Sequence, residues 1–426
     1  MLPSIVGVWN ATIPQVVPIL IIAHFLKNGD TYGGYLDVPT QNAYKIRIDI
    51  FYFKQSFITF NLTSIKHSFE GSFKDENKLT GILFGNGFKF PIDFIKIKNQ
   101  SEYAVNRPQT PKRPFKYIEE QVEIKHPNIT LSGTLTYPKN KKPIASVVVC
   151  HGSGGHDRDE TIYDHKKFMV LANFLTNLDI AVLRYDERGI RNSSGNFLKS
   201  NDVDFAQDAI AGLEFLKSRK ETKKSKLDLI GHSKGGFTSI IASNKSKLVN
   251  FMVLLGSPSV SGEEILYEQT RLILKSQNTT EKKIQISLEI AHYFKLILSN
   301  AATDEEKNFI QIAMNNVFLG LESMTTPWYR SFLIFDPSKI LSKTRIPVLG
   351  IWGSKDTQVS AFQNLQPMRN ALEKARNKKY KLVTFDGLNH LFQTSLTGSP
   401  DEYGLIEETF SIEVLNLIGK WIKKIS

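Results

Sequence analysis

The sequence has 426 residues, of which 41% are hydrophobic, and a formal net charge of +12. That length fits two domains with substantial cores, and the ordinary glycine and proline content predicts no long disordered tract. The lysines are interspersed with glutamates and form no basic arm, so no nucleic-acid partner is expected. The single cysteine, Cys150, excludes an intrachain disulfide and a cysteine-rich metal site.

The N-terminal segment predicts neither an export signal nor a membrane anchor. Residues 1–8 contain no basic residue, and the first lysine is Lys27. The apolar run Ile13–Leu26 is interrupted by Pro14 and Pro18 and is too short to span a bilayer, so we predict a buried strand there. We therefore expect a soluble protein without stable membrane insertion, although the compartment and the oligomeric state stay open.

Residues 1–98 are predicted to form an all-β domain. Short apolar runs such as Ile46–Ile50 and Phe57–Phe60 alternate with turn residues such as Lys27–Asp30, which is typical of a meander or a small barrel. The tripeptide Gly7-Val8-Trp9 is similar to the G-x-W that opens lipocalin-like barrels, where the tryptophan closes one end. A tryptophan that caps an unrelated β core is the alternative.

Residues 99–116 are predicted to be a linker. Pro108, Pro111 and Pro114 alternate with basic residues, and the segment has no apolar period. A stretch of this composition continues neither a sheet nor a helix, which favours an extended conformation. A ligand for a proline-binding module is the functional alternative.

From residue 117 onward, strand and helix patterns alternate. Tyr117–Glu123 and Ile129–Tyr137 predict an antiparallel hairpin, and Ile144–Cys150 is a continuous apolar run typical of a strand buried on both faces. Later strands alternate with amphipathic helices, which predicts a mostly parallel sheet with helices on both faces over residues 117–426. Further strands are predicted at 180–183, 226–230, 248–255, 347–352 and 380–385.

The segment after Ile230 is predicted to be a nucleophile elbow. It reads Gly231-His232-Ser233-Lys234-Gly235, directly after a short apolar strand. A serine in G-x-S-x-G lies on a strained turn between strand and helix, where flanking glycines leave room for the backbone. The helix that follows favours negative charge at its N-terminus. A loop serine between two glycines is the structural alternative.

Three residues that could act together as nucleophile, acid and base follow the carboxyl ends of predicted strands. Active sites of such sheets lie at these ends. They are Ser233, Asp356 and His390, and their order along the chain is the one that α/β-hydrolases use. A serine hydroxyl needs a base to remove its proton, and an aspartate would hold the imidazole in the right tautomer. We therefore predict these three as nucleophile, acid and base. Asp386 is the rival acid, four residues before the base.

The loop His151–Gly155 is predicted to help form an oxyanion hole. Its glycines allow the backbone amides to approach a tetrahedral intermediate closely. The Lys234 amide is predicted as one donor and the amide of Gly152 or Ser153 as the other. A tight turn between strand and helix is the structural alternative. No metal site and no cofactor are expected.

These motifs together resemble a family of bacterial α/β-hydrolases related to dienelactone hydrolases, carboxylesterases and S33 serine aminopeptidases. The similarity covers about residues 117–426 and implies Ser233, Asp356 and His390 as the triad. In many relatives a proline stands at the position of Gly155. Some relatives also have a lipocalin-like domain before a proline-rich linker. The motifs are the loop His151–Glu160, Arg184–Gly189, the elbow, Gly353–Asp356 and Asn389-His390.

Between Ser257 and Leu341 the alternation of strand and helix stops, and a helical cap over the active site is predicted. An apolar stripe over 284–298 marks one helix, and Thr303–Glu306 is a capping box that would open another. An aromatic cluster near the end of the cap is a candidate for substrate contact, with packing inside the cap as the alternative. It comprises Trp328, Tyr329, Phe332 and Phe335.

The charged residues after the glycine loop have two interpretations. Asp157, Arg158, Asp159 and Glu160 are either a substrate clamp or an ion-paired loop that fixes the turn, and we favour the second. The sequence as a whole predicts a serine hydrolase that cleaves small carboxylic esters through an acyl-enzyme. A serine aminopeptidase or amidase is the first alternative, and a non-catalytic protein that binds a lipid or glycan is the second. Acyl chain length and leaving group stay open.

Overall fold

The structure of the protein is a computed structural model that describes residues 4–13, 19–29, 31–38, 43–85, 87–97, 106–298 and 327–426. The chain divides into two compact units, Met1–Asn106 and Arg107–Ser426. Each unit is organised around its own large sheet. The boundaries that the sequence suggested, at 98, 116 and around the cap, stay predictions.

The first unit is a nine-stranded antiparallel sheet that nearly closes into a barrel. Each strand pairs with the next one along the chain except β4 and β5, which form the two edges, and β1 also pairs with β9. At the two edges β3 approaches β5 and β4 approaches β6, so the sheet curls toward closure. The strands are β1 Gly7–Ile13, β2 Ile19–Asn28, β3 Thr31–Val38, β4 Ala43–Ile48, β5 Ile50–Lys54, β6 Phe57–Leu62, β7 His67–Asp75, β8 Lys78–Gly85 and β9 Phe88–Lys96.

Alternating side chains build the interior of this sheet. Along β6 the buried residues are Ile58, Phe60 and Leu62, which share one face because side chains alternate along a strand. Phe60 stacks on Phe69 with ring centroids 5.0 Å apart. Trp9 is fully buried, and its indole N–H donates to the Ile5 carbonyl over 2.8 Å. Each buried aromatic ring contributes ~1.5–3 kcal/mol through the hydrophobic effect, and the predicted all-β unit is confirmed.

The buried strand predicted over Ile13–Leu26 is present but begins later, at Ile19, and Ile21, Ala23 and Phe25 are buried on it. β1 ends at Ile13 and β2 begins at Ile19, and these two residues pair in an antiparallel register. The run therefore includes the end of one strand and most of the next. Both strands contribute to the same core, so hydrophobic content alone does not show where one ends and the other begins. None of the helices formed by the described residues has the length and apolar composition needed to cross a bilayer.

The second unit contains an eight-stranded mixed sheet in the order β10-β11-β15-β12-β16-β17-β18-β19. The β10–β11 hairpin is antiparallel, β11 also runs antiparallel to β15, and every later pair in the order is parallel. This confirms the predicted sheet. The strands are β10 Tyr117–His126, β11 Ile129–Pro138, β12 Ala145–Cys150, β15 Ile180–Tyr185, β16 Lys226–His232, β17 Val249–Leu255, β18 Val348–Gly353 and β19 Tyr380–Phe385, and a small hairpin adds β13 Thr161–Ile162 and β14 His165–Lys166.

Helices cover both faces of this sheet, and local signals set several of their starts. Asn201 and Ser261 each form a capping box with the third residue of the helix, and Ser360 accepts from the Gln363 amide. One apolar cluster lies on each sheet face. The helices are α1 Lys167–Thr176, α2 Asp202–Ser218, α3 Gly235–Lys245, α4 Gly262–Ser276, α5 Glu281–Leu298, α6 Pro327–Ile334, α7 Ser338–Leu341, α8 Ala361–Lys374 and α9 Ile412–Ile425.

Helices α4 to α7 lie between β17 and β18, where the sequence predicted a helical cap. Helix α5 covers the predicted apolar stripe. The predicted capping box Thr303–Glu306 lies outside the described residues. Cap helices α4 and α6 contact each other, and α6 also contacts α2.

Candidate active site

The turn between β16 and α3 has the geometry of a nucleophile elbow. Ser233 has a φ of 54°, in the left-handed region that costs a non-glycine residue ~1–3 kcal/mol. A Cβ on Gly231 would lie 2.2 Å from the Gly235 carbonyl oxygen, and one on Gly235 would lie 2.1 Å from that of Cys150. Both glycines are therefore required by close backbone approach. The Ser233 amide donates to the Leu255 carbonyl over 2.8 Å, which holds the turn against β17.

His390 and Asp356 form a buried pair. Asp356 follows β18 and His390 follows β19, so two adjacent parallel strands bring them together. His390 Nδ1 lies 2.8 Å from Asp356 Oδ2, and both side chains are almost fully buried. The other carboxylate oxygen accepts from the amides of Gln358 and Val359 over 2.9 and 2.8 Å. The carboxylate is thus fixed on both oxygens and orients the imidazole.

Ser233 and His390 line one cavity of about 410 Å³. The strand ends of the sheet and the helical segments between β17 and β18 both contribute to its wall. Of the predicted aromatic cluster, Trp328, Tyr329 and Phe332 line the cavity, whereas Phe335 packs against Phe237 with ring centroids 4.7 Å apart. The remaining apolar and aromatic lining includes Ile162, Tyr163, Ile265, Leu266, Val359, Leu391 and Tyr403.

The rival acid and the nearest other histidine have different partners. Asp386 accepts from the Ser354 hydroxyl over 2.8 Å in an exposed position. His232 points its Nδ1 at Glu160 and its Nε2 at the backbone carbonyl of His390. In this structure, Asp356 is the acid in contact with the His390 ring.

The two candidate amides of the glycine loop differ in their partners. The Gly152 amide donates to Glu160 Oε1 over 2.6 Å and is therefore occupied. Within the described part of the chain, the amides of Ser153 and Lys234 meet no acceptor. A Cβ on Gly152 would lie 3.5 Å from the Ser233 Cβ, so the loop runs close beside the elbow. This geometry favours Ser153 over Gly152 as the partner of Lys234 in the predicted oxyanion hole.

Glu160 is the centre of a buried charge network. Its Oε2 lies 2.6 Å from Lys167 Nζ and 3.1 Å from His232 Nδ1. Burial raises the pKa of Glu160, but the neighbouring His232 and Lys167 outweigh burial and hold it well below the usual value. Burial lowers the pKa of Lys167 to about 8 and that of His232 to about 4. The carboxylate is therefore charged and paired near neutral pH.

The other charged residues of this loop also pair with the protein. Arg158 forms an ion pair with Asp186 at 2.7 Å, and Asp159 pairs with Arg184. Asp157 accepts from the Thr161 amide and hydroxyl over 3.0 and 2.9 Å. These contacts match the ion-paired interpretation of the loop rather than a substrate clamp.

Some residues beside the site were missing from the sequence prediction. Gly256 follows β17 with a φ of 52°, and a Cβ there would lie 3.2 Å from His390 Nδ1. Gln358 donates to the Tyr403 hydroxyl over 2.8 Å, and both line the cavity. The glycine at a strand end was a usable signal for Gly256. Tyr403 follows the last strand in an irregular segment, where no period predicts its position.

The first residues of the second unit hold one wall of the cavity. Arg107 donates to the carbonyls of Tyr163, Ile406 and Gly404 over 2.7 to 3.2 Å. Gln109 accepts from the amides of Thr409 and Phe410 over 2.6 and 2.9 Å. These contacts fix the segment around Tyr403 and the loop at Tyr163. Arg107 and Gln109, predicted as part of an extended linker, are hydrogen-bonded to the unit that contains the site.

A mostly parallel sheet with an elbow serine, a histidine–aspartate pair after its last two strands and a helical insertion defines an α/β-hydrolase. The sequence agrees with this fold class, because residues 141–394 match the model of the family described as serine aminopeptidase, S33. The match covers more than half of the chain, and the chain belongs to this family.

The chain is similar in sequence to one esterase and in structure to an esterase and a dienelactone hydrolase. The chain is 29% identical over 300 residues to esterase EstD of Thermotoga maritima, a match that spans 69% of this chain and 66%, slightly less than two thirds, of that esterase. An esterase of Pyrococcus furiosus, Pf2001, aligns with a TM-score of 0.46 at 16% identity over 75% of this chain and 97% of its own. A dienelactone hydrolase of Anabaena variabilis aligns with a TM-score of 0.42 at 15% identity over 72% of this chain and 98% of its own.

Proposed function

We propose that the protein is a serine hydrolase that cleaves carboxylic esters with an apolar acyl group through an acyl-enzyme intermediate. Ser233 is the nucleophile, His390 the general base and Asp356 the residue that orients the base. The observation that supports this most directly is the 2.8 Å contact between His390 Nδ1 and Asp356, on a cavity that Ser233 also lines. Because Nδ1 faces the carboxylate, Nε2 is the nitrogen left for the serine hydroxyl.

In this mechanism the proton of the Ser233 hydroxyl moves to His390 Nε2 while Oγ attacks the ester carbonyl carbon. The carbonyl oxygen becomes an oxyanion, which the amides of Ser153 and Lys234 stabilise. The imidazolium then donates its proton to the leaving alcohol, and the ester C–O bond breaks. Water then attacks the acyl carbon while the same imidazole takes its proton, the bond between the acyl carbon and Ser233 Oγ breaks, and the imidazolium returns the proton to Oγ as the carboxylic acid leaves. Losing one oxyanion donor costs about 10²–10³ in rate.

The lining of the cavity favours an ester over an aminoacyl substrate. Among the described residues that line it, Glu160 has the only carboxylate, and its oxygens already contact the Gly152 amide, Lys167 and His232. An amino-terminal ammonium would need an uncompensated carboxylate, since an unpaired charge is costly to bury. The aromatic and aliphatic wall suits an acyl chain instead. Aminopeptidase activity is the second candidate, and the description of the family favours it.

Covalent labelling tests the nucleophile. A fluorophosphonate should label the wild-type protein at one site, and Ser233→Ala should abolish the label. A wild type that is not labelled would contradict the proposal and favour a binding protein without catalysis.

Substrate panels test the reaction class. We expect nitrophenyl esters with acyl chains of increasing length to be hydrolysed, and aminoacyl nitroanilides to be cleaved far more slowly or not at all. Hydrolysis of the nitroanilides without hydrolysis of the esters would replace the esterase proposal by the aminopeptidase. The same panel measures the preferred acyl length.

A further inference from the structure

The buried carboxylate of Glu160 contacts three elements of the candidate site at once. Its Oε1 accepts the Gly152 amide over 2.6 Å, which fixes the loop after β12. The same carboxylate lies 3.1 Å from Nδ1 of His232, the residue directly before Ser233. The His232 ring in turn lies next to His390, with Nε2 3.1 Å from the His390 carbonyl oxygen and ring centroids 4.8 Å apart. One side chain therefore links the oxyanion loop, the elbow and the loop of the base.

The backbone at Glu160 is held in an unfavourable conformation. Its φ is 48°, in the left-handed region, and nearby Tyr163 and Asp164 also have positive φ values. Non-glycine residues stay in this region only when surrounding contacts enforce it, and such residues are concentrated at functional sites. The Glu160 amide donates to the Asp157 carbonyl over 2.9 Å, and Lys167 neutralises the carboxylate. The loop thus maintains a strained turn that places one carboxylate beneath the site.

We propose that Glu160 is a positioning residue of the hydrolase: by accepting the Gly152 amide it turns the loop so that the Ser153 amide is the oxyanion donor, and through His232 it supports the loop that bears His390. This inference rests on the proposed function, because positioning has a catalytic meaning only if Ser233 and His390 react. Glu160 itself touches no reacting atom. Its ion pair with Lys167 keeps the buried carboxylate charged, and the hydrogen bond to Gly152 sets the loop.

A pair of double variants separates the hydrogen bond from the ion pair. Glu160→Gln with Lys167→Met removes both charges but keeps a carbonyl oxygen where Oε1 accepts the Gly152 amide. Glu160→Met with Lys167→Met also removes both charges and has a similar volume, but offers no acceptor. Comparing the two doubles avoids leaving Lys167 as an unpaired buried ammonium, which by itself would destabilise the protein.

The expected result is a difference in kcat. The Met double should have a kcat about 10- to 100-fold below that of the Gln double for a nitrophenyl ester, with nearly the same KM in both, since small misplacements of catalytic groups have effects of this size. Equal kcat values in the two doubles would overturn the proposal, whether both are close to the wild type or both are reduced. An equal reduction would show that the charge pair, and not the hydrogen bond to Gly152, affects catalysis.

Hydrogen exchange provides a readout that does not depend on activity. Exchange of the backbone amides in residues 151–155 should be faster in the Met double than in the Gln double. Unchanged exchange would show that Glu160 does not hold the loop, even if the protein hydrolysed no ester. Suppose that the Met double shows faster exchange, is labelled at Ser233 and keeps its kcat. The position of the loop would then not affect catalysis, and the positioning role of Glu160 would be overturned. Failure of the proposed function appears separately, as absence of fluorophosphonate label in the wild type.

Discussion

The two units bury different kinds of side chain. Among its described residues, the first unit buries apolar side chains only, with Trp9, Phe60 and Phe69 at its centre. The second unit buries carboxylates, lysines, arginines and histidines in addition to three apolar clusters. Many of these charged groups, such as Glu160 and Asp356, follow the carboxyl ends of strands. Burying a charge is costly unless it is paired. The concentration of buried charged side chains at one edge of the sheet therefore indicates a functional requirement there.

Substitutions in the first unit should therefore affect mainly stability, and substitutions at the strand ends of the second unit should affect mainly chemistry. In the first unit, stability depends on shape and volume, because a close-packed core tolerates no void. In the second unit, single polar atoms orient one another, as the contacts of Asp356 with His390, Gln358 and Val359 demonstrate. Three predictions sharpen this contrast.

The largest effect is expected at Asp356. Asp356→Asn keeps the shape of the side chain but favours the wrong imidazole tautomer, and kcat should fall by about 10⁴-fold while KM changes little. The matched control is Asp386→Asn, because that carboxylate is exposed and contacts Ser354 instead of the base. It should leave kcat within about threefold. Steady-state kinetics with a nitrophenyl ester measures both. A larger loss in Asp386→Asn than in Asp356→Asn would reverse the assignment of the acid.

The next effect is expected in the core of the first unit. Phe69→Ala removes a fully buried ring that stacks on Phe60, and the cavity should lower the free energy of unfolding of this unit by about 3–5 kcal/mol. Hydrogen exchange of peptides from residues 57–97 measures this loss. Phe88→Ala is the control on the same sheet: this residue is 46% exposed, and the change should cost less than about 1 kcal/mol. Labelling of Ser233 should be unchanged in both, and a strong loss of label would show that the units depend on each other.

The third effect concerns pH and is the smallest when taken per pH unit. Burial lowers the pKa of His232 to about 4 and also lowers the pKa of His151. Unfolded His232 binds its proton near pH 6.5 and folded His232 only near pH 4, so stability should fall as the pH drops from 6.5 toward 4. The lowered pKa of His151 adds to this loss in the same direction. The slope is at most about 1.4 kcal/mol per pH unit for each group.

Thermal unfolding from pH 7 to pH 4.5 measures this loss. In a Trp9→Phe background, tryptophan fluorescence reports only the second unit, since Trp328, Trp352 and Trp421 remain. His232→Gln should reduce the dependence of the unfolding temperature on pH. An unfolding temperature that rises on acidification would contradict the prediction.

Local pattern predicted much of the fold. The order of strands and helices after residue 117, the elbow and the all-β nature of the first unit followed from periodicity, strand-end motifs and turn residues, because these features are encoded over a few neighbouring residues. The bounds of the strand in the run Ile13–Leu26 were not predicted, since an apolar stretch does not state how many strands it contains. The Thr303–Glu306 helix and the boundaries of the domains remain predictions.

The residues that follow the strands, and with them the candidates Ser233, Asp356 and His390, can be recognised from the amino-acid sequence. The contact of the imidazole with Asp356 rather than Asp386, and the hydrogen bond from the Gly152 amide to Glu160, appear only in the folded chain. Such choices depend on pairing between parallel strands and on contacts between residues far apart in the chain. They are fixed when the sheet assembles, because distances across strands are set by register and packing rather than by spacing along the sequence.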